Sequence, residues 1–287
     1  MTNKLSNYIA LTKPGLTFVS VSTAVGSAYL ALVGTDNLYL LWHVFIGAFI
    51  AGGGAGALNQ YLERNYDARM TRTGLRPLPA NRLPANNVLL FGIILSLIGC
   101  IYLAVFTTIV AAVLTAATLI IYLLLYTPMK RRTPFATVIG GIAGALPPLI
   151  GWTAMTGSIS LAGLSLFFIL FFWQTPHFLA LAWIHREDYE RAGYKVITVV
   201  DPTGISATRQ VIIYCIALVP ASLMPALVGL AGTIYFIGAL IFSLGYLSVG
   251  LILFRDRTNS KARLLFTASI IYLPILFILM ILDRLLH

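Results

Sequence analysis

The sequence predicts an all-α, polytopic membrane protein of about nine transmembrane helices. Three observations predict it. Only 10% of the 287 residues are charged, against about 25% in soluble domains, and the mean hydropathy is +0.90. Apolar runs close to the ~20 residues that span a bilayer as helix recur along the whole length. Finally, with nine spans, 18 of the 19 basic residues fall on one side of the membrane, and only Arg284 falls on the other.

The first run, 14–34, follows Lys13-Pro14, a proline suited to the first helical position, and shows no small-residue cleavage site of a signal peptide. The second, 40–60, passes through FIAGGGAGAL into a charged stretch. Runs 86–106 and 108–127 are separated only by Thr107-Thr108. The fifth, 135–155, follows the basic island YTPMKRRT, and the sixth, 161–183, carries the polar WQTPH. Runs 209–229 and 232–254 meet at Gly-Leu-Ala-Gly, and the last, 264–283, begins after Arg263. No run alternates with period 2, which sets membrane β-barrels aside. Gly52/Gly56 and Gly140/Gly144 have the four-residue spacing that lets helices approach closely. Cys100 and Cys215 have neither metal-ligand spacing nor a disulfide pattern.

The net charge of +10 reads as topology, not as nucleic-acid binding. Basic residues concentrate in cytoplasmic loops, so the N-terminus and the long loops are expected in the cytoplasm and the C-terminus opposite.

Six of the nine acids fall in two clusters on that basic side: Glu63 and Asp67, then Glu187, Asp188, Glu190 and Asp201. Each cluster ends a helix and enters a long loop, and long loops in compact proteins are often functional. Asn59, Glu63 and Asp67 are spaced i, i+4, i+8, one stripe of a helix. Asn59 lies inside the apolar span, where polar groups are costly and mark function. Two carboxylates and an amide suit Mg²⁺, which takes carboxylates together with phosphate oxygens and water. The arginines that follow, Arg69, Arg72, Arg76 and Arg82, suit phosphate. The competing reading is a solvated helix end with acid–arginine pairs. In the second cluster, His177 and Asp188 are eleven residues apart and share one face if the helix continues, with His185 near the same stripe; a buried histidine is otherwise a satisfied hydrogen-bonder. Lys130 reaches the same mouth in the third island.

Acids, a basic mouth and apolar walls suit a substrate with a diphosphate head and a hydrocarbon tail. Metal would neutralise the leaving diphosphate, and aromatic residues (Tyr61, Tyr66, Tyr126, Trp173, Phe178, Tyr189) would stabilise an allylic cation. This is the chemistry of intramembrane prenyl transfer.

The segments LTKPGLT at 11–17, NQYLERNYDARMTRTGLRPLP from Asn59, YTPMKRRT, GGIAGALPPLIGW at 140–152 and WQTPHFLALAWIHREDY at 173–189 resemble the intramembrane, UbiA-type prenyltransferase superfamily, and within it the haem-farnesylating branch. The resemblance covers nearly the whole chain. It implies a single domain, 1–287, of nine helices around a central cavity. It implies transfer of farnesyl from farnesyl diphosphate to a vinyl group of haem B, with water addition, giving haem O for terminal oxidases directly or through haem A. It implies Mg²⁺ held by Glu63 and Asp67 with Asn59 beside them and a second metal site at Asp188, a diphosphate met by Arg72, Arg76 and Lys130, and haem contacted by His177 and Tyr189. It further implies a bacterial inner-membrane enzyme whose product passes to a terminal oxidase directly or through haem A synthase. Two departures are visible. Positions 184 and 192 are Ile and Ala, where quinone-type relatives pair aspartates. The chain also reads GYKVITVVDP at 193–202, unlike the Gly-Ile-Pro-Met-Leu-Pro of many bacterial members. The rival readings are an aromatic-acid prenyltransferase of quinone synthesis and a transporter.

Overall fold

The computed structural model describes residues 4–32 and 37–286, and every regular element among them is helical. The chain divides into two compact units, residues 1–159 with 188–194, and residues 160–187 with 195–287.

The first unit holds α1 (Lys4–Leu11), α2 (Pro14–Ala31), α3 (Tyr39–Asp67), α4 (Ala85–Phe106), α5 (Ile109–Ile120), a π-helical turn (Ile121–Tyr126), α6 (Thr127–Met129) and α7 (Ala136–Thr156). Thr107-Thr108 is a true break: the Thr108 hydroxyl accepts the Ala111 amide at 3.1 Å and caps α5. The glycines set the packing distances. A Cβ on Gly54 would stand 2.4 Å from the Ser96 hydroxyl, and one on Gly99 2.5 Å from the Ala51 nitrogen, so α3 and α4 meet backbone to backbone. On α7, a Cβ on Gly151 would stand 1.8 Å from the Ala24 carbonyl of α2. Gly52, Gly56 and Gly140 are also close-approach positions, whereas Gly144 is exposed.

The second unit holds α8 (Leu161–Ile184), α10 (Ile197–Val200), α11 (Ile205–Leu227), α12 (Thr233–Arg255) and α13 (Asn259–Leu285); the short α9 (Arg186–Arg191) carries the chain back to the first unit. Ser160 caps α8 and Thr258 caps α13. Gly229, at φ 77°, ends the α11 stretch and makes the turn read from Gly-Leu-Ala-Gly.

Eight helices among the described residues are long and apolar enough to cross a membrane. α2 occupies the range expected for the first span but is not one of the eight. It is eighteen residues long, and Thr17, Ser20, Ser22, Thr23 and Ser27 dilute its apolar character. Its expected end at 34 lies outside the described residues. α3 runs to Asp67, seven residues beyond the expected 60, and this places both Glu63 and Asp67 on a continuous helix.

Candidate active site

α3 buries its whole polar stripe: Asn59 is 1% exposed, Glu63 5% and Asp67 1%. Burial on this scale needs partners, and each polar group has one. Asn59 Oδ1 accepts from Lys13 Nζ at 2.8 Å, and Asn59 Nδ2 donates to Glu63 Oε2 at 3.0 Å and to Thr127 Oγ1 at 3.4 Å. Glu63 Oε1 pairs with Lys130 Nζ at 2.8 Å, and Asp67 Oδ2 with Arg76 at 2.7 Å. Three cations therefore face two carboxylates, leaving one net positive charge to attract an anion.

Local structure aims these groups. Lys13 stands at φ 47°, in the left-handed region, before Pro14. Such strain persists where the surroundings enforce it, and the Lys13 side chain reaches Asn59 from this turn. Burial, then the nearby Arg76 charge, lowers the Lys13 ammonium to about 8, with Glu63 acting the other way. The π-turn widens the helix just before Thr127 and Lys130; such turns are frequent at functional sites. For Lys130, burial opposes the charge, but Tyr126 and Glu63 beside it prevail and hold the ammonium well above its ordinary value. Lys130 also lies over the Tyr126 ring at 4.6 Å and the Tyr194 ring at 5.8 Å, and Arg131 over Tyr66 at 3.9 Å.

Asp188 joins the arginine loop of the same unit. Its carboxylate accepts from the Thr71 amide at 3.3 Å and pairs with Arg191. Desolvation pushes its acidity the other way, but the Thr71 and Arg72 amides and Arg191 hold the carboxyl below its usual range. Tyr189 packs edge-on against Tyr194 at 5.8 Å. Arg72 is exposed on the loop.

One condition of the sequence reading is not met. The continuous helix that would set His177 and Asp188 on one face does not form: α8 stops at Ile184, and His185 takes a non-helical backbone before α9. No group of three or more His, Cys, Asp or Glu side chains among the described residues is arranged to share one metal ion. The donor set of the stripe still fits a divalent cation. Asp67 Oδ1 is buried without a hydrogen-bond partner, beside Glu63 and Asn59 on one stripe. Mg²⁺ needs only one or two carboxylates when phosphate oxygens and water complete its shell.

In the second unit, His177 lies between the Trp173 and Phe266 rings, at 5.0 and 4.7 Å, both roughly parallel to it. Its Nδ1 is 2.7 Å from Ser269 Oγ, which donates to the Phe266 carbonyl at 2.5 Å. That assignment puts the proton on Nδ1 and leaves Nε2 with its lone pair. Trp173 donates its indole N–H to the Ser269 carbonyl at 2.8 Å.

The profile of the UbiA prenyltransferase family matches residues 19–280. The chain belongs to the UbiA prenyltransferase family. A protoheme IX farnesyltransferase of Solibacter usitatus is 44% identical over 289 residues, covering 98% of this chain and 99% of the relative. Among solved structures, a digeranylgeranylglyceryl phosphate synthase superposes with TM-score 0.81 at 17% identity, covering 98% of each chain. A UbiA homologue from Archaeoglobus fulgidus bound to DMAPP and Mg²⁺ superposes with TM-score 0.70 at 14% identity, covering 96% of this chain and 99% of that one. These likenesses establish the UbiA fold; membership in the family makes the chain a prenyltransferase and sets the transporter reading aside.

Sequence reasoning missed four residues of the site. Lys13 was visible only as part of LTKPGLT. Thr127 and Arg131 sit in the basic island beside Lys130. Tyr194, 2% exposed with its hydroxyl buried and unpartnered, had no signal beyond following the second cluster.

Proposed function

We propose that the chain transfers the farnesyl group of farnesyl diphosphate to a vinyl group of haem B, with water adding to the resulting cation, giving haem O and diphosphate. The observation that carries this reading is the buried stripe of Asn59, Glu63 and Asp67 with its ring of cations. The full-length similarity to protoheme IX farnesyltransferases supports the choice of haem as acceptor. We further propose that both units work as one domain, 1–287, in the bacterial inner membrane. The basic end and N-terminus would be cytoplasmic, and haem A synthase or an oxidase would take the product.

Glu63 and Asp67, with Asn59 beside them, are the groups that would hold Mg²⁺; this fits a UbiA homologue bound to DMAPP and Mg²⁺. When bound, the metal supplies charge to a departing diphosphate. The chain's own residues do the rest. Lys130, Arg76 and Lys13 exchange carboxylate or amide contacts for phosphate oxygens, and Arg72 is free to close from the loop. The Tyr66, Tyr126 and Tyr194 rings, already facing cations, offer π-faces to developing positive charge. Asp188 acts here as a loop anchor for Thr71 and Arg72 and so positions Arg72. His177, whose Nε2 keeps its lone pair, would offer that nitrogen to haem iron, and Tyr189 is the second candidate for haem contact.

The test is incubation of the purified chain with haem B, farnesyl diphosphate and Mg²⁺, followed by mass analysis of extracted haems. Haem O is the expected product. Prenylation of an aromatic acid with haem untouched would assign the chain to quinone synthesis instead. Reporter fusions at both termini test orientation, with opposite sides expected.

A further inference from the structure

Two buried polar atoms at the acidic stripe have no hydrogen-bond partner, and they are of opposite kinds. Asp67 Oδ1 can only accept, whereas the Tyr194 hydroxyl carries a proton to donate. Such atoms are few in native proteins, because each has lost its water without gaining a bond. Tyr194 is placed there by the end of α9. Gly193, at φ 75°, takes the left-handed turn that closes a helix. Its amide donates to the Glu190 carbonyl at 2.9 Å, and the Tyr194 amide to the Tyr189 carbonyl at 3.0 Å. With the edge-on contact of the Tyr189 and Tyr194 rings, these bonds make a Schellman motif, in which the residue after the glycine packs back on the helix. Asp188 ties the same short helix to the Thr71 amide of the arginine loop.

The motif drives Tyr194 inward, against the Tyr66 ring of α3 at 5.6 Å. The charges it meets are those of the stripe. Lys130 Nζ lies 5.8 Å from its ring centroid and 2.8 Å from Glu63 Oε1. Burial, then the Glu63 charge, push the acidity of the phenol up. Glu63 is therefore near, yet the hydroxyl closes no hydrogen bond with it. Both Glu63 oxygens are already engaged, Oε1 by Lys130 and Oε2 by Asn59.

We propose that the Tyr194 hydroxyl donates a hydrogen bond to the diphosphate of the prenyl donor. A diphosphate that arrives with its cation satisfies both orphan atoms at once: the cation takes Asp67 Oδ1, and a phosphate oxygen takes the Tyr194 proton. Lys130, the ammonium that such a head draws from Glu63, already lies against the Tyr194 ring, so an oxygen that binds Lys130 arrives beside the phenol. An ionised oxygen also makes the stronger kind of hydrogen bond. The inference rests on the reading of Asn59, Glu63 and Asp67 as the diphosphate site, and it does not depend on which acceptor is prenylated.

Tyr194→Phe keeps the ring and removes only the hydroxyl. The full chain, with Mg²⁺ and no acceptor, is titrated with farnesyl diphosphate and with inorganic pyrophosphate, and its melting temperature is followed. Because the hydroxyl makes no bond in the empty protein, the variant should melt no lower than wild type without ligand. Its dissociation constant for farnesyl diphosphate should rise about tenfold, the scale of one hydrogen bond to a charged group. Pyrophosphate, which has the head and no tail, should weaken by the same factor, and the rise in melting temperature that either ligand gives should shrink with it. A variant that melts well below wild type, or does not fold, would make the hydroxyl structural and overturn the proposal. Unchanged dissociation constants would overturn it too, and weaker farnesyl diphosphate with unchanged pyrophosphate would move Tyr194 to the tail. These outcomes leave wild-type binding intact. Wild type that binds neither ligand would instead sink the diphosphate reading of the stripe, and this inference with it.

Discussion

Two stretches of polar residues lie inside apolar helices, one on α3 and one on α8, and they are built on opposite terms. On α3, every acid is met by a cation and the bonds run 2.7–3.0 Å. On α8, His177 has one hydroxyl partner and otherwise two aromatic faces. The difference matches the roles proposed for each. A site that receives a multiply charged head must carry its counter-charges beforehand, because a buried charge without a partner costs several kcal/mol. A site for a flat, largely apolar ring needs surfaces and one oriented donor or ligand.

The largest effect expected is at Asp67. Asp67→Asn keeps the size and removes the charge that Arg76 neutralises and the free Oδ1 that a metal would take. Turnover should fall by about 10²–10³, in protein that stays monodisperse, with partial recovery on raising Mg²⁺. Near-normal turnover would erase the contrast, leaving Asp67 a structural partner of Arg76. His177→Ala comes next. It should raise the haem concentration needed for half-maximal rate about tenfold, the scale of one lost buried polar contact, while farnesyl diphosphate dependence holds. An unchanged haem requirement would make His177 a packing residue and the comparison void. Ser269→Ala sharpens the point. Freed from the hydroxyl, the His177 ring loses its fixed tautomer, and haem dependence should shift a few-fold with diphosphate dependence again flat. Smallest of the four is Thr127→Val. The Asn59–Thr127 bond is long at 3.4 Å, so its loss should cost about twofold or less in farnesyl diphosphate use and nothing in haem use.

Much of this was legible before any coordinates. The i, i+4, i+8 stripe is a local property of one helix, and α3 carries it as read. The span limits follow from apolar length, and they hold to within a few residues from α4 to α13. The shared face of His177 and Asp188 was conditional on a continuing helix, and continuation depends on what the following turn packs against; here α8 stops at Ile184. Spacing also carries no information about which amide or guanidinium meets a distant carboxylate, as the Thr71 amide and Arg191 meet Asp188.

The sequence by itself determined the class of molecule, an all-helical membrane protein, because apolar length and the need to satisfy every backbone group in lipid leave few alternatives. It also determined the acidic stripe of α3. Only the tertiary structure decided that Lys13 reaches Asn59 across 46 positions, that Lys130 reaches Glu63 across 67, and that Asp188 ties down the Thr71 amide across 117. Such pairings depend on how closely the helices pack, which the glycine contacts of α2, α3, α4 and α7 set to fractions of an ångström. That distance is a property of the assembled core, not of any one segment.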